Sequence, residues 1–348
     1  MSTSGSSASI EARLYEPLPD GSVRCNLCGH RCLIRADRRG ICEVRHNRDG
    51  RLETSVFGQA ISQNADPVEK KPLYHFYPSS LAYSIATPGC NLRCAWCQNW
   101  DISQMPREGR QVSGRKVAPE DILRGALDTG CRIIAYTYTE PTIFFEYTYE
   151  IARLAHDSGL ANAYVTNGYM TEDMLEALHP YLDGANVDLK AFRDSTYRKH
   201  TGARLQPVLE ALCAMGRLRV WVEVTTLIIP GVNDGSDELR DLVRFIVGEL
   251  GVDTPWHISR FFPTYKMADG VPTPPETMRR AREIGLAEGL RYVYLGNFSD
   301  PDGQDTACPG CGRILIRRCG FGVSENRISG GGCPDCGSAI AGVGMAGS

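Results

Sequence analysis

No stretch of this chain strings together the ~20 apolar residues that a helix needs to cross a bilayer, which argues against a helical membrane span. The first residues, Met1 to Ser9, are rich in serine but lack a basic segment followed by an apolar one, so they do not read as a secretory signal. A disordered tail over residues 1–20 is expected instead. A strong surplus of one charge is also missing: the formal net charge is −3 over 348 residues. Hydrophobic residues at 42% and charged residues at 23% are ordinary for a soluble globular protein. The length allows one large domain with small appendages. What is plentiful is cysteine, at fourteen. Without a secretory signal these point to metal ligation in a reducing compartment, not to disulfides. A cytoplasmic protein is the expectation.

The chain is organised around Ser84 to Cys97, S-I-A-T-P-G-C-N-L-R-C-A-W-C, a loop that follows the strand-like run Leu81 to Ala86. Cys90, Cys94 and Cys97 are spaced C-x3-C-x2-C. Three thiolates do not close a four-ligand zinc site, but they can hold three irons of a [4Fe–4S] cubane and leave the fourth iron open. A zinc knuckle or a ferredoxin loop is the plainer reading. A ferredoxin would need a fourth cysteine nearby, and the next one, Cys131, sits in an apolar run. The spacing, with Trp96 before the last cysteine, resembles the cluster loop of radical S-adenosylmethionine (SAM) enzymes. That resemblance implies that SAM chelates the open iron and is cleaved reductively to a 5′-deoxyadenosyl radical, with Trp96 beside the cofactor.

Upstream, Cys25, Cys28, Cys32 and Cys42 form a C-x2-C-x3-C-x9-C array in a segment with little apolar content. A metal there would supply folding energy that a core cannot. Tetrahedral zinc is the simplest occupant, and a second iron–sulfur cluster is chemically open. His30 and His46 read as surface or neighbouring residues. Residues 20–51 carry eight arginines against four acidic side chains. Such a patch suits nucleic acid or an acidic partner, but metal-bound thiolates need the same compensation, which weighs against nucleic acid. A short hairpin is expected over residues 50–62. After it, Asp66 to Phe76 contains Pro67 and Pro72 and reads as a loop, with Lys70, Lys71, Tyr74 and His75 near the mouth of the catalytic domain.

From Leu81 onward, strands and helices alternate. Strands are expected at 81–87, 132–138, 160–166, 185–189, 219–227 and 256–261, with one more short strand at 293–295. Helices are expected at 117–129, 142–158, 171–178, 195–200, 206–217, 236–250 and 275–288. The alternation demands a parallel sheet whose ligand site lies at the carboxyl ends of the strands. About six βα units are too few for a closed eight-stranded barrel. By the resemblance, the fold class is α/β, a partial (β/α)6 TIM-like barrel of the radical SAM type.

The strand ends supply the other candidates. Glu140 in Y-T-Y-T-E-P matches the acidic residue that receives the SAM amino group in the family, although Tyr138 and Thr139 replace its two glycines. Glu140 also suits a helix cap. Thr166 and Asn167 in V-T-N-G-Y fall near the SAM carboxylate or ribose by the same resemblance, or form a plain turn. Asp188 and Lys190 share one face of their strand. The resemblance puts this pair inside the barrel as the catalytic candidates, with Asp188 also near the cofactor ribose; a purely structural ion pair is the other reading. Glu223 and Thr225 share a face, as do His257 and Ser259, with Arg260 on the opposite one. His257 is expected to be a satisfied core histidine.

Cys308-Pro-Gly-Cys311-Gly and Cys333-Pro-Asp-Cys336-Gly, separated by 21 residues, form a zinc-ribbon pattern, with a rubredoxin-type iron site as the alternative. Cys131, Cys213 and Cys319 read as unligated. Taken together, the four-cysteine array, D-P-V-E-K-K-P-L-Y-H-F, C-N-L-R-C-A-W-C-Q-N, Y-T-Y-T-E-P and the ribbon resemble the radical SAM component of the AmmeMemoRadiSam system, a relative of pyruvate formate-lyase activating enzymes. The resemblance implies AMMECR-type and Memo-type partner proteins and an electron donor such as flavodoxin or ferredoxin. The expected division is a tail (1–20), a metal module and tether (21–76), a radical SAM core (77–300) and the ribbon (301–348). Hydrogen abstraction from a protein or small molecule is the expected activity. A glycyl-radical activase, a zinc-ribbon nucleic-acid-binding protein and a plain electron carrier are the alternatives.

Overall fold

In the computed structural model the described residues are 9–110, 114–298, 300 and 303–346. Their centre is an eight-stranded sheet whose spatial order follows the chain. Its strands are β1 (Ser62–Pro67), β2 (Leu81–Ala86), β3 (Ile133–Tyr136), β4 (Ala161–Thr166), β5 (Gly184–Asp188), β6 (Trp221–Ile228), β7 (Trp256–Arg260) and β8 (Val293–Gly296). Strands β2 to β8 run parallel, and β1 pairs antiparallel with β2 at one edge. The expected strands all form, including the short last one. Strand β1 was not expected, because S-Q-N-A-D-P has no β-branched residue. It needs a partner on one side only, and Pro67 at its end is tolerated on an edge.

Among the described residues, and besides the single turn Trp100–Ser103, seven helices cross between the parallel strands: α1 (Pro119–Asp128), α2 (Phe145–Asp157), α3 (Glu172–Leu178), α4 (Asp194–Thr201), α5 (Gln206–Arg217), α6 (Ser236–Phe245) and α7 (Pro275–Ala287). Pro119 opens α1 with Glu120 and Asp121 in its first turn, as a helix N-terminus prefers. The Thr171 hydroxyl caps α3 by accepting the Met174 N–H. The helices pack on the convex face of the sheet, against Ile85, Ile134, Tyr136, Tyr164, Val187, Val224 and Ile258.

The concave face is lined differently. Near the floor it carries Ala82, Ile133, Ala135, Ala161 and Ala163, packed against Val68, Leu73 and Phe76 of the segment after β1. Small residues are required because that segment fills the barrel. At Gly184 an added Cβ would lie 2.8 Å from the Phe76 ring. The stretch read as a loop beside the mouth is therefore the plug of the barrel, and residues 62–76 belong to the core domain.

Two small three-stranded sheets precede the barrel: Ile10–Glu11 with Arg51–Thr54 and Arg45–Arg48, and Tyr15–Pro17 with Val23–Cys25 and Leu33–Ile34. Within the tail expected over 1–20, residues 1–8 lie outside the described residues, and residues 10–17 carry two of these strands, which corrects the expectation there. The hairpin expected over 50–62 turns the other way. Arg51–Thr54 pairs back onto Arg45–Arg48 through Asp49 and Gly50, both at positive φ, the geometry of a tight hairpin turn. At the other end, Thr306–Ala307, Ile314–Cys319 and Gly322–Asn326 form a third small sheet over its own core of Leu315, Ile316, Ile328 and Ile340. Among the described residues no helix is long and apolar enough to cross a membrane.

Candidate active site

The carboxyl ends of the parallel strands open into one cavity of about 1380 Å³. Cys90, Cys94 and Cys97 line it together with Trp96, Glu140, Thr166, Asn167, Asp188 and Lys190. Every residue singled out around the barrel for cluster, cofactor or catalysis thus reaches the same space.

The cysteine loop is held from several sides. Gly89 sits at φ 109°, and an added Cβ would meet Ile143 at 2.9 Å and Val44 at 3.0 Å. The Arg93 and Ala95 amides donate to the carbonyls of Thr201 and His200 at 2.9 and 3.0 Å. Arg107 donates to the carbonyls of Leu92, Cys90 and Ile41. Burial pushes the Cys94 thiol up to about 12 against the opposing Lys190 ammonium, and pushes Cys90 well up too. Bare thiols there stay protonated; a bound metal would reverse that.

Glu140 does two jobs. Its Oε1 accepts from the Thr142 amide and hydroxyl at 3.1 and 2.6 Å and from the Thr166 hydroxyl at 2.7 Å, while Oε2 accepts the Asn167 amide at 2.8 Å. It caps the turn that starts at Pro141 and still presents an oxygen with a single donor to the cavity. Burial raises its carboxyl above the usual range, although these donors favour the charged form. The Asn167 amide group donates to Asn91 Oδ1 at 2.8 Å, which ties the β4 exit to the cysteine loop.

Lys190 Nζ lies 2.9 Å from Asp188 Oδ2. Burial works against the lysine charge, but Asp188 and the Cys94 sulfur outweigh it and raise its pKa. Asn233, in the P-G-V-N-D exit of β6, donates to the carbonyls of Lys190 and Leu227 at 2.8 Å and braces this corner. His257 Nε2 is 2.6 Å from Glu223, a buried carboxylate that also accepts the amides of Tyr74 and His75 and the Trp221 ring N–H. Arg260 departs from the strand alternation: it ends β7 and lines the cavity beside His257 and Ser259, its Nε donating to the Thr273 carbonyl.

Sequence reasoning placed Lys70 and Lys71 near the mouth as a substrate or partner contact, but missed Asp66, which holds them, and a second wall from the C-terminal hairpin. Asp66 binds Lys70 and Lys71 at 2.8 and 2.7 Å and the Tyr138 hydroxyl, and Lys70, Lys71 and Tyr138 face the cavity. Arg318 to Phe321, from the C-terminal hairpin, line it as well. The C-terminal wall has no local signal, because it comes from a distant part of the chain.

The cysteine sets differ in spread. Among the described residues, one group of three or more His, Cys, Asp or Glu brings its ligand atoms within 4.8 Å of one another: Cys308, Cys311, Cys333 and Cys336. That arrangement suits a single tetrahedral metal ion. Neither Cys90, Cys94 and Cys97 nor Cys25, Cys28, Cys32 and Cys42 gather so tightly. All fourteen cysteines are free of disulfides.

A radical SAM superfamily model matches residues 84–246. The chain is 44% identical over 308 residues, 88% of its length, to an uncharacterised protein of Methanocaldococcus jannaschii, of which it covers 91%. It is 26% identical over 179 residues to the pyruvate formate-lyase-activating enzyme of Clostridium pasteurianum, covering 49% of this chain and 72% of that one. Streptococcus suis SuiB bound to S-adenosylmethionine shares the fold at a TM-score of 0.50 and 14% identity, over 66% of this chain and 53% of that one. Residues 84–246 are a radical SAM domain, and the chain is a radical SAM enzyme related to glycyl-radical-enzyme activases. That domain implies a [4Fe–4S] cluster and SAM.

Proposed function

We propose that Cys90, Cys94 and Cys97 would hold three irons of a [4Fe–4S] cluster and leave its fourth iron open to SAM. The observation that carries this reading is the convergence of these three thiols with Glu140, Thr166, Asn167, Asp188 and Lys190 on one cavity. The donor set fits: three sulfurs, spread more widely than a single ion needs, leave one corner of a cubane without a protein ligand. When bound, that group supplies the electron that cleaves the sulfonium and yields a 5′-deoxyadenosyl radical.

The protein residues then bind and orient. Glu140 Oε2 receives the SAM amino group beside the Asn167 amide, and Thr166 and Asn167 fix the turn that meets the carboxylate and ribose. Trp96 walls the cofactor. Asp188 takes a ribose or substrate hydroxyl, and Lys190 keeps it aimed. The cavity is larger than the ~300–1,000 Å³ of common ligand pockets, so a second molecule fits beside SAM. Hydrogen abstraction from a protein or small-molecule substrate follows, with AMMECR-type and Memo-type proteins as working partners and a flavodoxin or ferredoxin as electron donor. The relationship to pyruvate formate-lyase activating enzymes keeps a glycyl radical in a protein as the second reading of the product. The C-terminal four-cysteine group is read as a structural zinc site, and the protein as cytoplasmic. Anaerobic reconstitution followed by dithionite and SAM tests the core of the proposal. It should release 5′-deoxyadenosine and methionine; no 5′-deoxyadenosine above background would overturn it.

A further inference from the structure

Four sulfurs around one zinc, at Zn–S distances near 2.3 Å, stand about 3.8 Å from one another. The C-terminal set has that geometry: Cys308 and Cys336 lie 3.5 Å apart, and Cys311 and Cys333 lie 3.8 Å apart. The N-terminal set does not, since among the described residues no three of Cys25, Cys28, Cys32 and Cys42 bring their sulfurs within 4.8 Å of one another. Yet the four form one group. The Cys25 amide donates to the Cys32 carbonyl at 2.9 Å, and a Cβ on Gly40, two residues before Cys42, would lie 3.8 Å from the Cys32 sulfur. Neighbouring cysteines held apart fit a cubane, in which each thiolate binds a different corner iron. The set Cys90, Cys94 and Cys97 shows the same wide spacing in the same molecule.

The surroundings also differ from those of a plain structural knuckle. The guanidinium of Arg45, 1% exposed, donates from Nη1 to the Cys25 sulfur at 3.3 Å. Its Nε is buried without a hydrogen-bond partner. Hydrogen bonds to the sulfurs are among the levers that set a cluster's potential. Position matters as well. One Arg107 nitrogen donates to the carbonyls of both Ile41 and Cys90, at 2.8 and 3.1 Å. His30 Nε2 lies 2.9 Å from the Asn91 carbonyl, and Cys28 pairs with Met170 just past the Asn167 turn. The array is therefore built against the catalytic cysteine loop.

We infer that Cys25, Cys28, Cys32 and Cys42 hold a second [4Fe–4S] cluster, and that it relays electrons to the open one. The relay rests on the radical SAM reading; the cluster assignment does not. A single-electron carrier reduces the second cluster by one electron. That electron passes to the open cluster and is consumed in breaking the sulfonium carbon–sulfur bond, giving methionine and the 5′-deoxyadenosyl radical. Both clusters end in their oxidised state.

The test uses the full chain, reconstituted anaerobically. A variant carrying Cys90→Ser, Cys94→Ser and Cys97→Ser should retain about four irons in an all-thiolate cubane by Mössbauer spectroscopy, with zinc in the ribbon. Two zinc ions and no iron would overturn the assignment. If that variant fails to fold, the wild-type count decides between about eight irons and about four. Proximity is read by EPR: the reduced wild-type spectrum should differ from the sum of the spectra of this variant and of Cys28→Ser/Cys32→Ser, and simple additivity would overturn the relay. Finally, enzyme reduced at both clusters and freed of reductant should release about two 5′-deoxyadenosines per chain on adding SAM, against about one for Cys28→Ser/Cys32→Ser. A wild-type yield that stops at one overturns the relay. No 5′-deoxyadenosine from either form would instead overturn the radical SAM reading, while the iron count stands.

Discussion

The ring of His75 and the carbonyl oxygen of Ala341 lie 2.6 Å apart, and through this bond the plug of the barrel is fastened to the C-terminal ribbon. The other ring nitrogen is 2.6 Å from the Tyr294 hydroxyl at the far edge of the sheet. Burial holds the His75 pKa down at about 4; Glu223 and the Ala341 carbonyl oppose this, and Arg318 and His257 add to it. An unfolded histidine titrates near ~6.5, so the unfolded chain takes the proton first. The stabilisation is complete above pH ~6.5 and is lost as pH falls toward 4, on the order of 3 kcal/mol in all. His75→Gln should lower Tm at neutral pH and flatten its fall between pH ~7 and ~5. Calorimetry on both proteins checks this; parallel Tm–pH curves would sink it.

Removing one cluster thiol should remove the chemistry and spare the fold. Cys94→Ala is expected to lose SAM cleavage entirely, because two thiolates do not hold a cubane against solvent. The C-terminal metal should stay bound, and far-ultraviolet circular dichroism should change little. Metal analysis and a 5′-deoxyadenosine assay read both outcomes. Full activity in this variant would contradict the assigned ligand set.

Asp188→Asn separates a binding role from a structural one. The carboxylate is partly open to the cavity and bound to Lys190. Losing a charged acceptor for a hydroxyl costs about 1.5–3 kcal/mol, or roughly 10–150-fold in affinity. Weaker SAM or substrate binding is expected at unchanged iron content. If Tm falls and binding is unaltered, the pair is a brace and nothing more.

Gly184→Ala places a methyl 2.8 Å from the Phe76 ring. The ring is fully buried and has nowhere to move, so destabilisation of about 1–3 kcal/mol is expected. Phe76→Leu should recover part of that loss, giving a coupling between the two sites in a double-mutant cycle. Additive effects would show that the two do not press on each other.

Cys308→Ser with Cys311→Ser should release about one metal ion and unfold the small C-terminal sheet, whose core is a handful of side chains. The absorbance of the iron–sulfur clusters should persist. Its loss together with the ribbon metal would make the ribbon part of the cluster site.

Much of this was legible in the sequence. Strands β2 to β8 announce themselves because apolar and β-branched runs alternate with amphipathic helices, and the site residues follow from their places at strand ends. The cysteine loop is legible because its spacing is itself the chemistry. Strand β1 is not, since its residues carry no β preference and only its neighbour dictates its conformation. The plug is hidden for a related reason: Val68, Leu73 and Phe76 look like scattered hydrophobics until the small residues of the concave face meet them. Cysteine spacing also leaves the size of a metal centre undetermined. Four thiols within 18 residues make zinc the simplest occupant and leave a cubane open, and their separation in space is what favours the cubane.

Arg318 has a further consequence. This ribbon residue buries its guanidinium beside the Tyr74 ring, 4.2 Å from the ring centre, and donates to the Tyr74 carbonyl at 2.9 Å. The floor of the barrel is thus anchored by residues that leave the ribosome after every strand of the sheet. A parallel sheet already folds slowly, because its contacts are distant in sequence; here it waits for the ribbon as well. Completion of the chamber falls last in synthesis, once the ribbon has been made. Nascent chains would then hold an unfinished chamber while they are still being made, and a radical generator would be assembled only as a whole molecule.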